Sequence, residues 1–212
     1  MSPILRPMGF RRNGAIHLAQ REEVAWVVDV QTSRWNDQHE ARFTLNGGVY
    51  IPGIVSRYSM RPEPKLPKLV DCCLSVRVGM LDPSRLDRWW KLEATANRDV
   101  ADERIGNEVS EIVRDRLLPF LGEFETLESI ADFLSAPVDK TNRFVAPQSE
   151  AQRLAYAALI HAQLGDAASS HEAIVASIRK AVGSPIEHTI RKLDQSLRST
   201  VTDDFQGHAR LK

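Results

Sequence analysis

Cysteine is nearly absent from this chain: two residues in 212, and those two adjacent, Cys72-Cys73. Neighbours in a strand point to opposite faces, so the pair can neither share one metal ion nor close an unstrained bridge. Both read as structural thiols, one in the core and the other outside it. Long hydrophobic runs are missing too. Nothing approaches the roughly 18 apolar residues a membrane span needs, and the opening MSPILRPMGFRRNG lacks the apolar stretch of a signal peptide or twin-arginine signal. The default expectation is a cytoplasmic protein with no membrane partner. There is no G-x-x-x-x-G-K phosphate loop, no dinucleotide fingerprint, no G-x-S-x-G elbow and no zinc spacing. The six histidines are scattered. The sequence therefore names no catalytic residue, no metal and no cofactor, and an enzyme lacks positive support.

Net charge is also absent overall, but unevenly so. Residues 1–92 hold 14 Lys/Arg against 9 Asp/Glu, a balance of +5, and residues 93–212 hold 14 against 19, a balance of −5. Either the two halves dock on each other, or the first is an anion-seeking lobe. Arg6, Arg11, Arg12 and Arg21 make a basic N-terminus on which nucleic acid is a lesser candidate, with Trp35 available to stack on a base. The neutral total and the lack of a recognition motif argue against it.

What is present is a strand pattern followed by a helical one. Ala15–Gln20 and Val24–Gln31 flank a polar turn and predict a hairpin. Ala41–Tyr50 predicts a third strand, with a bulge or bend at Gly47-Gly48. Four prolines make residues 51–68 a loop, and Cys72–Val78 a fourth strand. Asp82-Pro83 then predicts a helix over Ser84–Leu92. Further on, Asn107 caps a helix with the stripe Val109, Ile112, Val113, Leu117, Phe120 and Leu121, ended or kinked by Pro119. Thr126 caps another. Helices follow from Glu150 and from Asp166, and Ser184-Pro185-Ile186-Glu187 reads as a capping box for a third. The expectation is an α+β fold: an antiparallel sheet of about four strands with helices on one face, over 1–134, and a C-terminal helical extension over 149–199. Residues 200–212 read as a disordered tail.

Strand parity points to a site. Gln31, Ser33, Arg42, Thr44, Asn46, Ser75 and Arg77 fall on the face opposite Val28, Phe43 and Val76. These are residue types that make directed hydrogen bonds, and two guanidiniums among them suit a carboxylate, a phosphate or polar backbone. Asp29 can instead pair with Arg42 or Arg77 and leave the face neutral and self-satisfied. Trp35 sits in a loop. Trp89 and Trp90, in a helix, cannot both face the core, so at least one lies at a boundary or plugs the sheet's end. Tryptophan with arginine is what interface hot spots tend to contain. The expected function is a non-catalytic binding protein whose protein partner or small polar ligand meets this face, with Trp35 and Trp89 or Trp90 at the rim. A toxin-neutralising partner or a regulatory adaptor is one context for such a protein. The alternative is an enzyme or small-anion and phosphoester-binding protein that uses Arg42 and Arg77.

The stretches "RPMGFRRNG", "VVDVQTSRWN", "ARFTLNGGVY", "CCLSVRVGML", "RWWKL" and "LLPFLGEFETLESI", taken in order from about Leu5 to Leu134, resemble a bacterial family known as domain of unknown function 4304. The resemblance implies that Gln31, Ser33, Trp35, Phe43, Asn46, Gly48, Arg77, Trp89 and Trp90 occupy the family's recurring positions. It carries over no catalytic residue. The chain departs from the pattern by starting close to Gly9-Phe10, so the preceding helix is expected to be short or missing, and the helices after Glu150 lie outside the resemblance.

Overall fold

The computed structural model describes residues 2–93, 98–139 and 143–209. The strands are β1 (Arg11–Asn13), β2 (Ile16–Gln20), β3 (Ala25–Thr32), β4 (Glu40–Tyr50), β5 (Leu74–Arg77) and β6 (Trp90–Glu93). The helices are α1 (Ser2–Leu5), α2 (Ile54–Ser59), α3 (Arg98–Ile112), α4 (Leu118–Gly122), α5 (Leu127–Ser135), α6 (Glu150–Gln163), α7 (Ala167–Ala181) and α8 (Glu187–Ala209). The fold is α+β and the sheet antiparallel, with six strands among the described residues rather than about four. The chain divides into two compact units: residues 1–51, 64–125 and 144–146 form one, and residues 52–63, 126–143 and 147–212 the other.

In the first unit the strands run β1-β2-β3-β4-β5. β4 is eleven residues long, and β3 covers eight of them in register from Ala25↔Tyr50 to Thr32↔Phe43. β5 and β6 both pair with β4, β5 along Asn46–Val49 and β6 along Glu40–Phe43. The second of these strands was expected as a helix. Trp90-Lys91-Leu92-Glu93 carries an alternation that pairs readily with Glu40–Phe43, and the turn after Pro83 places Arg85 at φ 49°, which stops a helix from propagating.

Gly47-Gly48 makes no bulge, for the ladder runs through both residues on β3 and on β5. Close approach explains them instead. A Cβ at Gly47 would stand 2.4 Å from Leu117 Cδ1, and one at Gly48 2.7 Å from Cys72 Sγ, on opposite faces of the strand. Leu117 ends a π-turn, Val113–Leu117, between α3 and α4. Pro119 does not end the helix: α3, the π-turn and α4 follow one another without a gap from Arg98 to Gly122. The stripe from Val109 to Leu121 is buried as its spacing predicts, although Asn107 lies inside α3 rather than capping it.

Both cysteines are buried, and neither forms a disulfide. Cys73 Sγ donates to the Val49 carbonyl at 3.2 Å and Cys72 Sγ to that of Lys68 at 3.4 Å. Burial pushes the Cys73 thiol up to about 12 and Cys72 well above its ordinary range, so both stay protonated at neutral pH. The expectation that one would lie outside the core fails because the second face of the sheet has its own apolar cluster of Ala25, Val27, Tyr50 and Cys72.

The second unit is helical. The stretch expected as loop between Ile51 and Lys68 contains α2, whose Tyr58 ring meets Tyr156 of α6 edge-on at 5.1 Å. α6 and α7 pack through small residues, and Ser170 and Ser177 donate to the Ala158 and Ala151 carbonyls at 2.8 and 2.6 Å. Thr126, Ser149 and Asp166 accept from the third backbone N–H of their helices, as caps should. The box expected at Ser184–Glu187 is not formed: the Glu187 carboxylate takes the Gly183 N–H at 2.8 Å, and Ser184 Oγ is buried without a partner. α8 continues through the first part of the stretch expected as a tail, and residues 210–212 lie outside the described residues.

Gly79 is the tightest point of the sheet unit. A Cβ there would lie 2.2 Å from the Leu86 carbonyl oxygen and 2.8 Å from the Arg88 nitrogen, both backbone atoms that cannot swing aside. Gly79→Ala is expected to cost about 3 kcal/mol in urea unfolding. Gly106→Ala, on a helix with nothing within 4 Å of the new methyl, should instead raise stability by about 0.5–1 kcal/mol.

Candidate functional site: a polar network on the sheet

The β3–β4–β5 register sets Asp29 opposite Asn46 and Asn46 opposite Arg77, while Gln31 faces Thr44. Parity therefore brings Asp29, Gln31, Asn46 and Arg77 to one face. Asn46 is buried, and its amide donates to Gln31 Oε1 at 3.1 Å and Asp29 Oδ2 at 3.4 Å. Arg77 donates through Nη2 to Gln31 Oε1 (2.9 Å), through Nη1 to both oxygens of Asp87 (3.1 and 2.9 Å) and, at 3.5 Å, through Nε to Asn46 Oδ1. Trp89 completes the group. Its indole N–H donates to Asp87 Oδ2 at 3.0 Å, and the Arg77 guanidinium carbon stands 5.4 Å from its ring centroid.

Asp87 is the residue that sequence reading missed, and the reason is local. In a helix over Ser84–Leu92, residues 87 and 89 would point apart. In the non-helical lead-in to β6 they come together, the Trp89 indole N–H bonded to the Asp87 carboxylate. The carboxylate that neutralises Arg77 thus comes from Asp87, and Asp29 binds Asn46 instead of either arginine.

The other expected residues separate. Thr44 is fully buried and its Oγ1 has no hydrogen-bond partner. Gln31 faces it from β3, and the β6 ladder stops one residue short of it, at Phe43↔Trp90. Trp90 is core, 3% exposed and stacked on Phe43 at 5.5 Å, so it is no rim residue. Ser75 spends its backbone on Ala146, donating at 3.1 Å and accepting at 2.7 Å. Ser33 Oγ accepts the Trp35 N–H at 3.1 Å. Trp35 itself is 79% exposed, with Arg34 over its ring at 4.9 Å.

Arg42 belongs to a second, charged cluster rather than to the Arg77 network. Its Nε donates to Glu40, which also pairs with Lys91 at 2.7 Å, and Lys91 reaches Glu93 at 2.7 Å. Lys91 first and Arg42 second hold the Glu40 carboxyl below the ordinary glutamate value, and Glu40 and Glu93 together raise Lys91.

Among the described residues no group of three His, Cys, Asp or Glu side chains could hold a metal ion, and no helix is long and apolar enough to cross a membrane. The antiparallel sheet with its buried-amide network defines an α+β domain built around one long strand. The chain belongs to the DUF4304 family, a domain of unknown function whose profile matches residues 1–123. No curated protein and no solved structure matches it.

Two measurements check these groupings. A double-mutant cycle on Arg77→Ala and Asp87→Ala is expected to give a coupling on the order of 1 kcal/mol, modest because both side chains are part-exposed. For Glu40 the folded pKa is depressed, so its ion pairs contribute fully above the unfolded value and are lost as pH falls through the folded one. Carbon NMR of the Glu40 carboxyl should give a midpoint below 4.5. Lys91→Ala should bring that midpoint back up.

Proposed function

We propose that the chain is a non-catalytic binding protein and that the Gln31–Asn46–Arg77–Asp87–Trp89 network is its recognition surface for a protein partner. One observation carries this reading. The guanidinium of Arg77 is held in place by three side chains and a ring before any partner arrives, so little side-chain entropy remains to be lost on binding. Trp89 and the largely exposed Trp35 supply aromatic area of the kind that dominates interface energetics. Gln31 Oε1 is already filled by Asn46 and Arg77, which leaves its Nε2 donor for a partner, while Asp87 Oδ1 keeps a lone pair for a partner's N–H.

Electrostatics favours a polar, near-neutral partner over a small anion. Asp87 already answers Arg77 and Glu40 already answers Arg42, so an incoming carboxylate or phosphate would have to displace a bound carboxylate and meet Asp29 as well. The small-anion and enzyme readings at Arg42 and Arg77 are accordingly less favoured.

Matched baits provide the test. Wild-type protein, the double variant Gln31→Ala/Trp89→Ala and the surface control Arg104→Ala are immobilised after circular dichroism has established equal folding. Proteins retained from host-cell lysate are then quantified. At least one protein recovered by wild type and control should fall tenfold or more on the double variant. Equal recovery on all three baits would remove the sheet face from consideration.

A further inference from the structure

We propose that a second, independent site lies at the N-terminal edge of the sheet and binds phosphate groups. A cavity of about 890 Å³ opens there, lined by Arg6, Arg11, Arg12, Phe10, Gly9 and His17 among others. Its volume is that of a small-molecule site. Its lining is one-sided in charge: Arg6, Arg11 and Arg12 contribute to it and no Asp or Glu does, and among the described residues no carboxylate forms a salt bridge with any of the three. This is the reverse of the sheet face, where Arg42 and Arg77 each hold a carboxylate.

The walls are ordered. Gly9, at φ 82°, closes the turn by donating its N–H to the Arg6 carbonyl at 3.0 Å, and the Phe10 N–H reaches the Leu5 carbonyl at 3.2 Å. Phe10 is 5% exposed and leans on Trp26, with ring centroids 6.4 Å apart. Arg21 locks the turn from behind, donating to the Met8 carbonyl at 3.1 Å while its guanidinium lies 4.0 Å over the Trp26 ring. Arg12 is aimed by its own bond to the Gly14 carbonyl at 2.9 Å, and the register sets it opposite His17. Burial first, and the Arg12 charge second, hold the His17 imidazole below its ordinary range. The imidazole therefore adds little charge at pH 7, and the arginines are the main side-chain source of the positive field.

Three cationic residues around one cavity, with none of them ion-paired to a carboxylate, raise the positive potential at its mouth. Planar donor forks suit tetrahedral oxyanions that offer several acceptors, and phosphate offers more charge and more oxygens than a carboxylate. The cavity exceeds a single phosphate ion, so the ligand carries further groups. Such phosphates can belong to a free phosphorylated small molecule or to a single-stranded nucleic acid backbone, whose bases would add stacking.

Calorimetric titration at low salt separates these sources. Pyrophosphate, ATP and a ten-nucleotide oligothymidylate are titrated into wild type, Arg11→Ala, Arg12→Ala and Arg77→Ala. The expected result is binding of at least one of the three, weakened tenfold or more by Arg11→Ala and by Arg12→Ala and unchanged by Arg77→Ala. Tighter binding of pyrophosphate or ATP than of the oligonucleotide assigns the site to a small molecule, and the reverse order assigns it to a nucleic acid strand. No binding of any of the three overturns the proposal. So does binding that the two cleft variants leave intact. Because these arginines are exposed, the variants are expected to fold, which a thermal melt checks.

Discussion

Most of what this domain does with its side chains follows from the length and crowding of β4. A single extended segment of eleven residues receives a full-length partner on one side and two short partners in succession on the other. Leu117 presses on one of its faces and Cys72 on the other. Only residues without a side chain fit beneath those two contacts, which fixes Gly47-Gly48 at the crowded end. Every other residue of the strand then has its facing and its neighbours decided by register, since a slip of one position would drive Asn46 into the helices and Leu45 into water.

That constraint also separates what could be read in the sequence from what could not. The pairing of Gln31, Asn46 and Arg77 was legible because alternation alone places side chains on faces. The exposure of Thr44 was misjudged for a different reason. Parity gives the side of the sheet but not the depth of burial on it, and the segment after Leu81 opens on an Asp-Pro-Ser that mimics a helix start. Reading that segment as helix hid Asp87 at the same stroke. Both thiols being interior was likewise out of reach, because it depends on a second apolar cluster beneath Leu69 and Gly48. The helical unit was clearer, for caps at Thr126 and Asp166 act within one turn of chain. Ser184 shows the limit of such local signals: Glu187 reaches past it to the backbone of Gly183.

The arginines of the sheet unit fall into two electrostatic conditions. Those on the central strands are each held by a carboxylate and act as fixed hydrogen-bond donors within a balanced group. Those lining the edge cavity have none and keep their charge available. Part of the positive surplus in the first 92 positions thus lies at the edge where the sheet begins. A protein partner on the face and a phosphorylated ligand at the edge would draw on different physical terms, shape and ordered donors in one case and field strength in the other.

The tight fit at Gly79 carries a consequence for how such a chain can diverge. The crossing from β5 to β6 is threaded backbone against backbone, so its length is as fixed as a spacer of known gauge: one residue more or fewer between Gly79 and Asp87 would shift the carboxylate off Arg77. The turn that carries Trp35 is held mainly by its own short-range bonds and has no such restriction. Insertions and deletions among kindred chains should therefore gather in the second segment and spare the first, making the crossing the domain's ruler and the tryptophan turn its adjustable tip.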